Sequence, residues 1–147
     1  MDLDFSFEGT KMRIIQSISA SVVPVEYDPK IHIKPKGSSS KVSLIRAALE
    51  DSTEPNTKVF VVSSVGQVVG ALSVKIPSKK QAEILHLGST LSGVGTILVN
   101  HCLKLLKKSG VKSVVLEAYS NTEAGKFYEK LGFSRIGDTD TFTKEIK

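Results

Sequence analysis

Two short stretches of this chain hold residues whose types and spacing suit chemistry. The first, LHLGSTLSGVGTILV (85–99), joins an apolar run to a loop of small residues and then to an apolar-periodic segment. A helix entered through small residues exposes backbone N–H groups and the positive end of its dipole, which suits a phosphate. Gly93 and Gly95 would let such an anion approach the backbone closely. No Gly-Lys-Ser/Thr follows and no third glycine completes a dinucleotide fingerprint, so neither a Walker loop nor a Rossmann turn is read here. The second stretch, NTEAGKFYEKLGF (121–133), opens on Asn121, a residue suited to helix capping, and places Tyr128 on an apolar helical face.

Other reactive side chains point to no metal, thiol or nucleic-acid chemistry. His32, His86 and His101 share no metal-ligand spacing, so no metal is expected. Cys102 sits in the apolar stretch of a helix, where a thiol is expected to be inert. Lys104, Lys107, Lys108 and Lys112 lack interleaved aromatics, which argues against nucleic-acid binding.

The elements that must position these residues follow from periodicity and turn chemistry. Leu3, Phe5 and Phe7 alternate with polar neighbours as in an edge strand, and residues 11–23 read as extended. Pro24 to Ser40 reads as a long loop, and Ser40 as the cap of a helix with the apolar face Val42, Leu44, Ile45, Ala48 and Leu49. After a turn at Thr53–Thr57, strands over Lys58–Ser64 and Gln67–Ile76 form a hairpin about Val65-Gly66. Ala82–Leu87 is a third strand, Gly88–Ser92 a loop, and Gly93–Ser109 a helix ended by Gly110. On that helix Val94, Ile97, Leu98, His101, Cys102 and Leu105 make the apolar face. A buried strand over Val111–Ala118 precedes a helix with a Ser120/Glu123 capping box, stopped by Gly132. Phe133–Gly137 and Thr141–Ile146 close the chain as strands. This order implies an α/β sheet with crossover helices on its faces.

On these residues the chain resembles the GNAT (Gcn5-related N-acetyltransferase) superfamily. Asn121, Ala124, Phe127, Tyr128, Gly132 and Phe133 match that family's Asn-x-x-Ala-x-x-Phe-Tyr-x-x-x-Gly-Phe. Gly93-Val94-Gly95 match the latter half of its Gln/Arg-x-x-Gly-x-Gly/Ala helix start, with one helix and one strand between the two motifs. The resemblance spans about residues 58–140. It implies a mixed central sheet splayed at a cofactor cleft, with helices on both faces. The implied domain is a single one over 1–147, with an atypical part at 1–57 and the cofactor-binding core at 58–147.

The implied reaction is direct attack of an amine, on a small molecule or a peptide, on the thioester of acetyl-coenzyme A. The resemblance makes Tyr128 the general acid and a backbone N–H near Leu87 or Gly88 the oxyanion donor. It makes the third strand the source of a base, either Glu83 or His86, which are three apart and should face opposite sides of the sheet. Asn121 would touch the cofactor near its pantetheine, beside Ala124 and Phe127. Thr90 stands where the family carries Gln or Arg, so the pyrophosphate would rely on backbone N–H groups of Gly93, Val94 and Gly95 and on the Ser92 and Thr96 hydroxyls. A non-catalytic domain of the same fold, binding a partner or effector, is the alternative, and a homodimer is left open.

Composition narrows the setting. At 147 residues the chain can bury an ordinary core, and 40% hydrophobic with 24% charged residues excludes wholesale disorder. The net charge of +5 lies wholly in residues 75–147, with 12 basic against 7 acidic side chains. No run is apolar and long enough to span a bilayer. Met1-Asp2-Leu3-Asp4 is acidic where a signal peptide would be basic, and one cysteine suits a reducing compartment, so a cytoplasmic protein is expected.

Overall fold

A seven-stranded mixed sheet forms the centre of the computed structural model, which describes residues 23–118 and 122–147. Its strands are β1 (Val25–Glu26), β2 (Thr57–Ser64), β3 (Gln67–Lys75), β4 (Gln81–Ser89), β5 (Ser113–Glu117), β6 (Ser134–Arg135) and β7 (Thr141–Glu145), in the spatial order β1-β2-β3-β4-β5-β7-β6. The helices are α1 (Ser40–Glu50), α2 (Val94–Lys108) and α3 (Glu123–Lys130). The expected strand at residues 1–10, the extended segment up to residue 22, and the expected roles of Ser120 and Asn121 lie outside the described residues.

Helices cover both faces. Ile45, Ala48 and Leu49 of α1 pack with Val59, Val61, Val68 and Ala71 on one face. Leu98, Cys102 and Leu106 of α2 and Tyr128 of α3 pack with Phe60, Leu72, Val74 and Ile84 on the other. Two strand glycines allow this close approach. A Cβ on Gly70 would lie 2.4 Å from Val94 Cγ1, and one on Gly88 would lie 2.6 Å from the backbone nitrogen of Ile45.

All sheet pairs are antiparallel except β4 with β5, which run parallel for only three residues, Gln81–Glu83 against Ser113–Val115. Beyond Glu83, β4 continues along β3 to Ser89, while β5 goes on to Glu117 held by β7 alone. The sheet therefore opens between the two strands, as the sequence reading expected.

Several local expectations change. The proline-rich loop contains β1, which pairs Val25 with Val61, because the outer edge of β2 offers backbone partners that local propensity does not reveal. Ser39, not Ser40, caps α1, its side chain accepting from the Val42 N–H at 3.2 Å. Leu44 is exposed rather than in the core. Asp51–Thr53 forms a short 3-10 helix before the expected turn. Gly88 and Ser89 belong to β4, paired with Ala71 and Gly70, and not to a loop. On α2 the buried face is rotated, so Val99 and Leu106 are buried while Ile97, His101 and Leu105 are only partly so. Thr122 caps α3, its Oγ1 accepting from the Gly125 N–H at 3.3 Å. Of Phe133–Gly137 only Ser134–Arg135 is strand, since Gly137 turns the chain at φ 55°.

Candidate active site

The opening between β4 and β5 holds a cavity of about 770 Å³. Ser40 and Leu44 of α1 line it from one face, and Thr122, Ala124 and Tyr128 from the other, so the cavity passes through the sheet. Ile84, Leu85, His86 and Leu87 form one wall, with Leu116, Glu117 and Ala118 opposite. Leu44 and Thr122 escaped the sequence reading, because an apolar helical position and a cap residue look structural without tertiary context.

A β-bulge decides what faces the cavity. Ser73 pairs with His86 but Val74 pairs with Ile84, leaving Leu85 as an extra residue. In an unbroken strand Glu83 and His86 would point to opposite faces. The inserted residue restores their parity, so both lie on the α1 side, opposite Lys75 and Ser73. Both also line a second cavity of about 300 Å³, with Asp51, Glu54, Lys75 and Glu117. The expectation that the two face opposite sides of the sheet does not hold, although of the two only His86 lines the through-sheet cavity.

His86 is the most tightly held of these groups. Its Nδ1 lies 2.6 Å from Asp51 Oδ2. Ser73 Oγ donates to the same Oδ2 at 2.6 Å and accepts from the His86 backbone N–H at 3.0 Å. Ser73 is fully buried, Asp51 is 17% exposed and the His86 ring 40%, so the network is rooted in the sheet and open at the imidazole. Asp51 was absent from the sequence-derived site; it lies 35 residues from His86, and no local spacing links them.

The backbone supplies a further polar group. The N–H of His86 and that of Thr90, which donates to the Val69 carbonyl at 2.9 Å, both point toward β3. Alternation along the strand then turns the Leu87 N–H away from β3, into the opening. The same alternation directs the Gly88 N–H toward β3. Gly88 thus serves the passage of α1, not the cavity.

At the start of α2, Gly93 caps the helix with φ 85°, a left-handed conformation that glycine adopts without strain, and offers no side chain to the helix N–H groups. The N–H groups of Gly95 and Thr96 have no acceptor within the helix by its geometry. Ser92 and Gly93 are exposed, Gly95 and Thr96 partly so, while the Val94 side chain is buried and only its backbone is available. Phe127 comes from α3 to this turn: a Cβ on Gly95 would stand 3.4 Å from its ring.

Tyr128 lines the cavity with only 7% of its surface exposed, its ring edge-on to Phe127 and Phe133. Burial, with a smaller contribution from Cys102, pushes its hydroxyl well above the ordinary tyrosine value, so it remains protonated. Burial likewise pushes the Cys102 thiol up to about 12, in keeping with an inert core residue. His101 packs edge-on to Phe60, and burial followed by Lys104 and Lys108 lowers its pKa. His32 accepts the Asp28 N–H at its Nδ1 and stacks on Tyr27, a structural placement away from the cavity. Among the described residues no group of three His, Cys, Asp or Glu could hold a metal ion, and no helix is long and apolar enough to cross a membrane.

The Acetyltransferase (GNAT) family pattern matches residues 29–133, beginning inside the stretch that sequence reading alone left unmatched. No curated protein matches the chain significantly. Among solved structures, Ard1 from Thermoplasma volcanium is 23% identical, with a TM-score of 0.60 over 85% of this chain and 97% of that one. The PaiA N-acetyltransferase from Thermoplasma acidophilum, solved with coenzyme A, is 19% identical, with a TM-score of 0.56 over 97% and 80%. AtaTR bound with acetyl-coenzyme A is 16% identical, with a TM-score of 0.64 over 84% and 92%.

Proposed function

Because the chain belongs to the GNAT acetyltransferase family, we propose that it transfers an acetyl group from acetyl-coenzyme A to a primary amine within a ternary complex. The observation that carries this reading is the cavity through the sheet, which brings Tyr128 from one face and His86 from the other to a single opening. A held thioester, an oxyanion donor, a base and an acid are what such a transfer needs.

Each requirement has a group suited to it. The uncapped start of α2, with the N–H groups of Gly95 and Thr96 and the Ser92 hydroxyl, suits the pyrophosphate of coenzyme A. Ala124 and Phe127 would flank the pantetheine arm, as Asn121 would by family analogy. The Leu87 N–H, turned into the opening, suits the thioester oxygen. His86 or Glu83 takes a proton from the substrate ammonium, and the freed nitrogen pair attacks the carbonyl carbon. As the N–C bond forms and the C–S bond breaks, the sulfur leaves with the bonding pair and takes the Tyr128 hydroxyl proton. Tyr128 recovers a proton from the nitrogen as it becomes an amide. Asp51, Glu54, Glu83 and Glu117, against Lys75 alone, surround the α1 side of the opening and favour a cationic acceptor over an anionic one.

Thiol release from acetyl-coenzyme A across a panel of amines, polyamines and peptides tests the reading. Transfer to at least one cationic acceptor, together with a coenzyme A-dependent rise in melting temperature, is the expected result. Coenzyme A binding without thiol release across the panel would identify a non-catalytic binding domain, a reading favoured by the lack of any Lys or Arg between His86 and Lys104. Neither binding nor release would refute both.

A further inference from the structure

We infer that Asp51 is a positioning residue for His86: it holds the imidazole in the tautomer that presents Nε2 as a proton acceptor to the opening, and so makes His86 rather than Glu83 the base. This rests on the acetyl-transfer reading above. Asp51 Oδ2 accepts the Ser73 hydroxyl proton at 2.6 Å, and Ser73 Oγ is itself occupied by the His86 backbone N–H. As a carboxylate, Asp51 has no proton to give. The 2.6 Å contact with His86 Nδ1 is therefore made by an Nδ1–H donating to Oδ2. Neutral imidazole carries one N–H, so Nε2 is left with its lone pair.

Position supports the same assignment. The imidazole lines both cavities, the through-sheet opening and the acidic one beside it, whereas Glu83 lines only the second. When Nε2 takes a proton from the substrate ammonium, the resulting imidazolium has an anion already in contact at Nδ1. The bulge at Leu85 matters here, because without it His86 would turn from the α1 side and lose Asp51.

The test has two arms. With only three histidines in the chain, nitrogen-15 NMR of labelled protein at alkaline pH, assigned by the His86→Gln variant, reads the tautomer directly. Protonated Nδ1 with unprotonated Nε2 is expected; the reverse, read in the wild-type protein itself, overturns the inference. In the kinetic arm Asp51→Asn and His86→Gln each lower kcat by about 10²-fold or more, with KM for acetyl-coenzyme A little changed. The double variant falls no further than His86→Gln alone, as expected for residues acting through one group. An Asp51→Asn enzyme within threefold of wild type, or losses that multiply, overturns the positioning role. Wild-type protein inactive toward every acceptor overturns both readings, whereas active wild type with active Asp51→Asn overturns this one alone.

Discussion

Replacing Tyr128 by Phe separates catalysis from packing at a cavity residue that is also core. The ring is 7% exposed and lies edge-on to Phe127, with centroids 5.1 Å apart at 73°, and to Phe133, at 5.5 Å and 69°. Phe keeps the ring, these contacts and nearly all the buried apolar area. Folding should therefore lose no more than about one hydrogen bond, on the order of 1 kcal/mol, or roughly 2–4 °C in Tm for a chain of this size. Catalysis should lose much more. Burial holds the hydroxyl proton in place, so the group acts as a neutral donor throughout the usable pH range, and no charge disappears with it. Without that donor at the departing sulfur, kcat should fall by about 10²–10³, or roughly 2.7–4 kcal/mol of barrier. Water reaching the sulfur would shrink the loss toward tenfold. Affinity for acetyl-coenzyme A, read by calorimetry, should barely move, because the missing interaction belongs to the transition state. A chromogenic thiol reagent can follow turnover, since the buried Cys102 will not consume it. Wild-type kcat in Tyr128→Phe would show the residue to be packing alone, and the proton donor would have to lie elsewhere.

Other perturbations follow from the same geometry. Gly88→Ala places a Cβ 2.6 Å from the Ile45 nitrogen and 2.8 Å from Leu44 Cβ, so α1 must retreat as a unit; a loss of about 1–3 kcal/mol in urea unfolding is expected, and an unchanged midpoint would refute the close approach. Val65 is fully exposed with φ 52°, a strained conformation for a β-branched residue, so Val65→Asn should stabilise by about 1 kcal/mol; a lower Tm would count against strain at this position. Iodoacetamide should leave native Cys102 unlabelled at mildly alkaline pH and label it fully in denaturant, because burial raises the thiol to about 12; labelling of native protein at the rate of a free thiol would contradict that burial.

Much of this molecule was legible in its sequence because the signals are local. The apolar period of α2, the β-branched runs flanking Val65-Gly66 and the glycines at 93 and 132 each act within a few residues, and the elements formed close to where those signals lie. The family motif around Ala124, Phe127 and Tyr128 was equally readable, since it occupies successive turns of one helix. Tertiary structure alone decided which of these residues meet. Leu85 adds one residue to a strand of period two and so moves His86 to the side of Glu83, a reversal that no alternation of residue types announces. Asp51 reaches His86 because α1 ends over β3 and β4, and Gly88 lets it pack there. The opening itself exists because β5 pairs with β7 along its whole length but with β4 over only three residues, a choice made by non-local register and by packing on both faces. Local propensity carries the identity of each strand, but the edge it leaves unpaired is set by partners far away in the chain.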